Sequence, residues 1–176
     1  MKDNIVYYVI INKKNIDGLD INNTSESTMA QIVLKKMLDY FNIKMPKIYL
    51  TDNGKPFFKD LDIYFNYSHS KNYIACVIAK CDVGIDIEEK TRIINDMVAK
   101  RYLNNIKGNL KRIETWVKKE AYSKLKGLGL GIGFQNIYLN ELIENNIFIN
   151  KKEYMCSIYC DSFDIEFKGL NETRLN

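Results

Sequence analysis

The chain has 176 residues, 46% hydrophobic and 27% charged, with 26 basic against 22 acidic side chains and a net charge of +4. That composition excludes wholesale disorder, and the length suits one domain or two small ones with a core that needs no metal or disulfide staple. No apolar run approaches the roughly 18 residues of a membrane span, so no membrane association and a cytoplasmic location are expected.

Residues 4–11 are rich in β-branched and aromatic side chains and are read as a first strand. Asn23-Thr-Ser-Glu26 has the character of a helix cap, and Met29, Ile32, Val33, Met37 and Phe41 recur behind it at helical spacing. A helix over 24–42 follows, stopped by Pro46. Residues 47–51 read as a short strand and 52–56 as a turn. Strands are expected over 61–67 and 72–80, joined through Ser68-His-Ser-Lys71, and again over 83–88. A helix is expected over 90–103, a loop over 104–109, and a second long helix over 110–125, ended by Gly127-Leu-Gly-Leu-Gly131. Three β-rich segments close the chain: 135–139, 146–150, and 153–167 with a turn near Asp161.

Two short matches hint at duplication. Lys47-Ile-Tyr-Leu50 follows the first helix and Asn136-Ile-Tyr-Leu139 the second; Lys71-x-Tyr73-Ile-Ala-Cys76 matches Lys152-x-Tyr154-Met-Cys156. The expected fold is therefore α+β, a pseudo-two-fold tandem of two halves, 1–82 and 83–176, each a helix on an antiparallel sheet. A cleft between them is the natural ligand site, and a monomer is expected because the tandem already builds it. The four cysteines, Cys76, Cys81, Cys156 and Cys160, lack zinc-ligand spacing and read as free, mostly buried thiols. With only four arginines, Arg92, Arg101, Arg112 and Arg174, and no basic stripe, no nucleic-acid partner is expected.

In Gly84-Ile-Asp-Ile-Glu88, strand alternation sets Asp86 and Glu88 on one face and Ile85 and Ile87 on the other. Two close carboxylates are either harmless acids on a solvated edge or ligands of a hard cation such as Mg²⁺, which takes one or two carboxylates plus substrate phosphates. Trp116, Glu120 and Lys124 stand at i, i+4 and i+8, one stripe of the second helix. They read either as an exposed ion pair beside a half-buried Trp, or as a third carboxylate with a lysine for a phosphate. Asn66-Tyr-Ser-His-Ser70 holds the only histidine between two hydroxyls, and Gly54-Lys-Pro56 presents Lys55 on a tight turn.

In this order the motifs Gly-Lys-Pro, Phe-Asn-x-Ser-His-Ser, Gly-Ile-Asp-Ile-Glu and Trp-x-x-Lys-Glu-Ala-x-x-Lys resemble the 4′-phosphopantetheinyl transferases of the surfactin-synthetase-activating (Sfp) type, closely over residues 50–131; Ala99-Lys-Arg-Tyr-Leu103 also looks like the family. The resemblance implies an enzyme, a holo-carrier-protein synthase. It would move the 4′-phosphopantetheine group of coenzyme A to a serine of an acyl or peptidyl carrier protein and release 3′,5′-ADP. It implies Mg²⁺ on Asp86, Glu88 and Glu120, with Glu120 the candidate general base and Lys124 steadying the pyrophosphate or protonating the leaving group. Lys55, Ser68 and His69 would contact coenzyme A. Lys119 points about 100° from Glu120 and ranks lower, and Trp116 anchors the helix.

Relatives carry basic residues around the first helix for the 3′-phosphate, whereas residues 19–31 here have no Lys or Arg. Lys13 and Lys14, or Lys35 and Lys36, are the substitutes available. Lys100, Arg101, Lys107, Lys111 and Arg112 are candidates for meeting an acidic carrier helix. The alternative function is a non-catalytic coenzyme A or nucleotide-binding protein, or a carrier-interaction module.

Overall fold

The computed structural model describes residues 1–17, 19–128 and 133–172. Strand β1 (Ile5–Asn12) is buried on both sides, which explains its lack of alternation. Ile5, Tyr7, Val9 and Ile11 face helix α1 (Glu26–Tyr40), whereas Val6, Tyr8 and Ile10 face a second sheet. Ser25 caps α1, its side chain accepting from the Thr28 N–H, which satisfies one of the orphan donors of a helix start. The helix buries Met29, Val33, Leu34, Met37 and Leu38 on the first sheet. A small hairpin, β2 (Ile48–Leu50) and β3 (Pro56–Phe58), precedes β4 (Tyr64–His69) and β5 (Tyr73–Ala79).

The chain then repeats the plan. Strand β6 (Val83–Glu89) leads through a short helix α2 (Asp96–Tyr102) to α3 (Asn109–Lys126), then to β7 (Asn145–Asn150) and β8 (Tyr154–Cys160). The first sheet runs β4-β5-β1 and the second β7-β8-β6, all antiparallel, so strand, helix and hairpin take the same connectivity twice. Tyr73 and Tyr154, from the matched sequence segments, open the two central strands, and their ring centroids lie 4.7 Å apart. The sheets pack face to face through Val77, Ala79, Ile85, Ile87, Cys156 and Ile158, with α1 and α3 on the outer faces. Strand β9 (Glu166–Gly169) pairs in parallel with β1 and extends the first sheet.

Several expectations need correction. Ser68 and His69 are not in a turn but end β4. Of the helix expected over 90–103, only α2 forms. Asn95 caps it, and the Asn109 side chain pins the preceding segment by accepting from Ile94 N–H (3.0 Å) and donating to Arg92 O (2.7 Å). Residues 135–139 are not a strand; 3-10 turns occupy Phe134–Asn136 and Leu139–Glu141. Gly127 does end α3, in a left-handed conformation (φ 65°) that suits glycine. The remainder of the Gly127–Gly131 motif, from 129 onward, lies outside the described residues, as does Arg174. The four cysteines are free thiols, Cys81 the least buried. Among the described residues no helix is long and apolar enough to cross a membrane.

Candidate active site

Alternation on β4 sorts its polar residues. Asn66, Ser68 and Ser70 share the face of Val77 and Ala75 and look across a seam at β6, whereas Tyr67 and His69 look at α1. Asn66 Oδ1 accepts from Ile85 N–H (3.4 Å), and Ser68 Oγ donates to Asp86 Oδ1 (2.7 Å). On the other side of the seam α3 supplies Lys124. Its Nζ donates to Ser68 Oγ (3.0 Å) and Asp86 Oδ1 (2.7 Å) and lies 3.9 Å from Glu120 Oε2. Three elements thus converge on one ammonium.

The centre is electrically loaded. Asp86 is 4% exposed, and its Oδ2 is buried without a hydrogen-bond partner. Burial, and then the nearby Asp86 charge, push the Glu120 carboxyl up to about 7, with Lys124 and Arg92 opposing. A buried carboxylate oxygen with a free lone pair, beside a carboxyl that would ionise if given a counter-charge, fits a hard divalent cation. Glu88 is turned aside: it pairs with Arg92, whose guanidinium stacks 4.8 Å over the Trp116 ring. Among the described residues no group of three or more His, Cys, Asp or Glu side chains gathers as a metal cage. A cation here would therefore use Asp86 and Glu120 together with ligand oxygens, and Glu88 only after leaving Arg92.

The other predicted residues fall elsewhere. His69 Nδ1 lies 2.8 Å from Glu26 Oε2, and Glu26 also pairs with Lys13. Burial holds the imidazole below its usual range, against the pull of Glu26, so His69 is neutral near pH 7. Lys55 pairs with Asp82 and donates to Leu125 O (2.7 Å), tying the turn to the end of α3. It borders a cavity of about 270 Å³ that Pro56, Asn66, Tyr67 and Lys124 also line. Lys119 is structural: 2% exposed, it donates to Tyr102 O (2.7 Å) and Gln135 O (3.3 Å). Trp116 packs on Tyr102 and Phe134, anchoring α3 as expected. Arg112 is buried and spent on Ile106 O, Ile94 O and Asp96, which removes it from any docking surface. Of the substitute cations, Lys13 is buried against the start of α1, pairing with Glu26 and donating to Lys71 O (3.1 Å), and Lys35 pairs with Asp39. The sequence reading does not include Arg92 in the site; its place four residues after Glu88 is the only local signal of their pairing.

No family model matches the chain. Among curated proteins it is 28% identical over 150 residues to the 4′-phosphopantetheinyl transferase gsp of Aneurinibacillus migulanus, covering 77% of this chain and 63% of that protein. It is 27% identical over 125 residues to the 4′-phosphopantetheinyl transferase Sfp of Bacillus subtilis, covering 64% and 55%. By sequence this chain is similar to Sfp-type 4′-phosphopantetheinyl transferases. A third such protein, psf-1 of Bacillus pumilus, is 32% identical over 96 residues, covering 48% of this chain and 41% of its own. The matches thus span less than two thirds of each transferase. The resemblance read from the four motifs is borne out, and the α+β architecture agrees with it.

Proposed function

We propose that this protein transfers the 4′-phosphopantetheine group from coenzyme A to a serine hydroxyl of an acyl or peptidyl carrier protein. The serine Oγ–P bond forms, the pyrophosphate P–O bond breaks, and 3′,5′-ADP leaves. The observation that carries this reading is the convergence of Ser68, Asp86 and Glu120 on Lys124 Nζ, with Asp86 Oδ2 left open. The similarity to three named transferases supports it.

Phosphoryl transfer of this kind asks for positioning and charge neutralisation more than covalent chemistry. Asp86 and Glu120, joined by Glu88 once released from Arg92, are the residues that would hold Mg²⁺, which when bound polarises phosphoryl oxygens. Lys124 and Ser68 donate to the pyrophosphate, and Lys124 neutralises charge on the departing phosphate. Glu120 is the candidate to take the serine proton: without a cation burial holds its carboxyl near 7, and a bound cation would lower it and keep the carboxylate ionised. Lys13 and Lys55 are the cations nearest the nucleotide, and the neutral His69 imidazole lies beside Glu26 as a further hydrogen-bonding group.

The carrier surface we assign to the start of α3 and the segment before it. Ile93, Met97 and Leu110 are exposed there beside exposed Lys100, Arg101, Lys107 and Lys111, a patch suited to an acidic amphipathic helix. The protein acts as a monomer in this reading.

The test is intact-mass spectrometry of apo carrier proteins incubated with the protein, coenzyme A and Mg²⁺. Gain of one phosphopantetheinyl mass, lost with chelator and with Glu120→Gln, supports transfer. Absence of gain across acyl and peptidyl carriers, with coenzyme A binding intact, would leave a binding protein instead.

A further inference from the structure

Among the described residues two buried side-chain polar atoms lack a hydrogen-bond partner, Asp86 Oδ2 and Ser70 Oγ, and both lie in the same seam. Buried polar groups are nearly always paired, so each orphan asks for a missing partner. Asp86 Oδ2 belongs to the centre already described. Ser70 does not. It follows Ser68 by two residues, roughly 7 Å along the strand direction and on the same face, with 7% of its surface exposed. It lines a cavity of about 440 Å³ together with Lys71, Glu88, Glu89, Thr91 and Arg92.

Three of the four charged groups around this cavity are engaged, and the fourth, Lys71, is exposed at the rim. Glu88 holds Arg92; Glu89 accepts from Asn72 N–H (2.7 Å) and from Thr91 Oγ1 (3.3 Å). Two acids and two bases leave the lining formally balanced, which suits an uncharged polar ligand better than a phosphate. A hydroxyl can donate and accept, as an amide does. The cavity also sits beyond Glu88 from the Lys124 centre, whereas the cavity bordered by Lys55 and Lys124 opens on the Asn66 side. A ligand whose pyrophosphate lies at Lys124 has one outlet on each side.

We propose that the cavity between Ser70 and Arg92 receives the uncharged, amide-bearing pantetheine arm, with Ser70 Oγ hydrogen-bonded to it. This rests on the coenzyme A reading and names the subsite for one end of that ligand. Calorimetry on the full chain with Mg²⁺ tests it, comparing coenzyme A with 3′,5′-ADP, which lacks the arm. For Ser70→Ala, affinity for coenzyme A falls about fivefold, the loss of one hydrogen bond, while affinity for 3′,5′-ADP stays within twofold and the melting temperature within about 2 °C. Equal losses for both ligands, or none for coenzyme A, overturn the subsite and leave the transferase reading standing. Binding of neither ligand to the unaltered protein overturns both.

Discussion

Lys124 Nζ lies 2.7 Å from Asp86 Oδ1 and 3.0 Å from Ser68 Oγ, so one side chain of α3 closes the seam between the two sheets. The pair is asymmetric: the Asp86 side chain is 6% exposed and that of Lys124 28%. Removing the lysine strands a buried carboxylate. Removing the aspartate leaves an ammonium that reaches solvent and Glu120. Lys124→Ala should cost about 3 kcal/mol, the lower end for breaking a buried pair, and Asp86→Ala less than about 1 kcal/mol. Urea unfolding measures both, and an equal or reversed order would refute the asymmetry. Adding Asp86→Ala to Lys124→Ala should restore stability.

Glu120 carries the pH dependence. Its folded pKa, about 7, stands above the ordinary carboxylate value of 4.5 because burial and Asp86 disfavour the charge. The folded state therefore holds a proton that the unfolded state has released between those values. Its contribution to stability is complete below about pH 4.5 and is lost as pH rises through 7. Unfolding free energy without divalent ions should decline over that window, and Glu120→Gln should flatten the decline. Mg²⁺ would compete with the same proton. At pH 6 its binding should release protons, seen as heats that depend on the buffer's ionisation enthalpy, and Glu120→Gln should abolish that release.

Legibility in the sequence followed periodicity. The i, i+4, i+8 stripe of Trp116, Glu120 and Lys124 and the alternation of Ile85, Asp86, Ile87 and Glu88 are local regularities, and both translated directly into geometry. Of the matched segments, those at Tyr73 and Tyr154 open two central strands and bring their rings together, whereas 136–139 forms no strand and 3-10 turns take its place. Features set by distant contacts stayed hidden. The parallel pairing of β9 with β1 joins the two ends of the chain, and Asn109 breaks the expected helix from across a loop. Ser68 and His69 are neighbours in sequence, but the strand sends them to opposite faces, one to Asp86 and the other to Glu26.

The single tryptophan offers a readout. Arg92 sits on the Trp116 ring and pairs with Glu88, so any event that draws Glu88 toward the Lys124 centre shifts the cation over the indole. Saturating Mg²⁺ with coenzyme A should change Trp116 emission in the unaltered protein. Arg92→Ala should shift the resting emission and reduce that response by at least half. An unchanged response in the variant would show that Glu88 and Arg92 stay uncoupled from the centre.

Gly84 explains how two carboxylates and a lysine from different elements meet. A Cβ built there would lie 2.1 Å from Ala121 O and 2.4 Å from Leu125 N, both backbone atoms of α3. No rotamer change relieves such a contact; the helix must move off the sheet. Glycine at this position lets α3 rest directly on β6, which brings Glu120 and Lys124 within reach of Asp86 two residues further along the strand. Gly84→Ala should therefore act on the site through spacing rather than chemistry. We expect a stability loss of about 1–3 kcal/mol, as for overpacking a core, and displacement of the helix by more than a hydrogen bond between Lys124 and Asp86 tolerates. The proposed transfer activity should fall at least tenfold even at temperatures where the variant is fully folded by circular dichroism, and the Glu120 pKa should drop toward its ordinary value as the seam admits water. A variant that loses stability but keeps full activity when folded would show that the close contact serves packing alone.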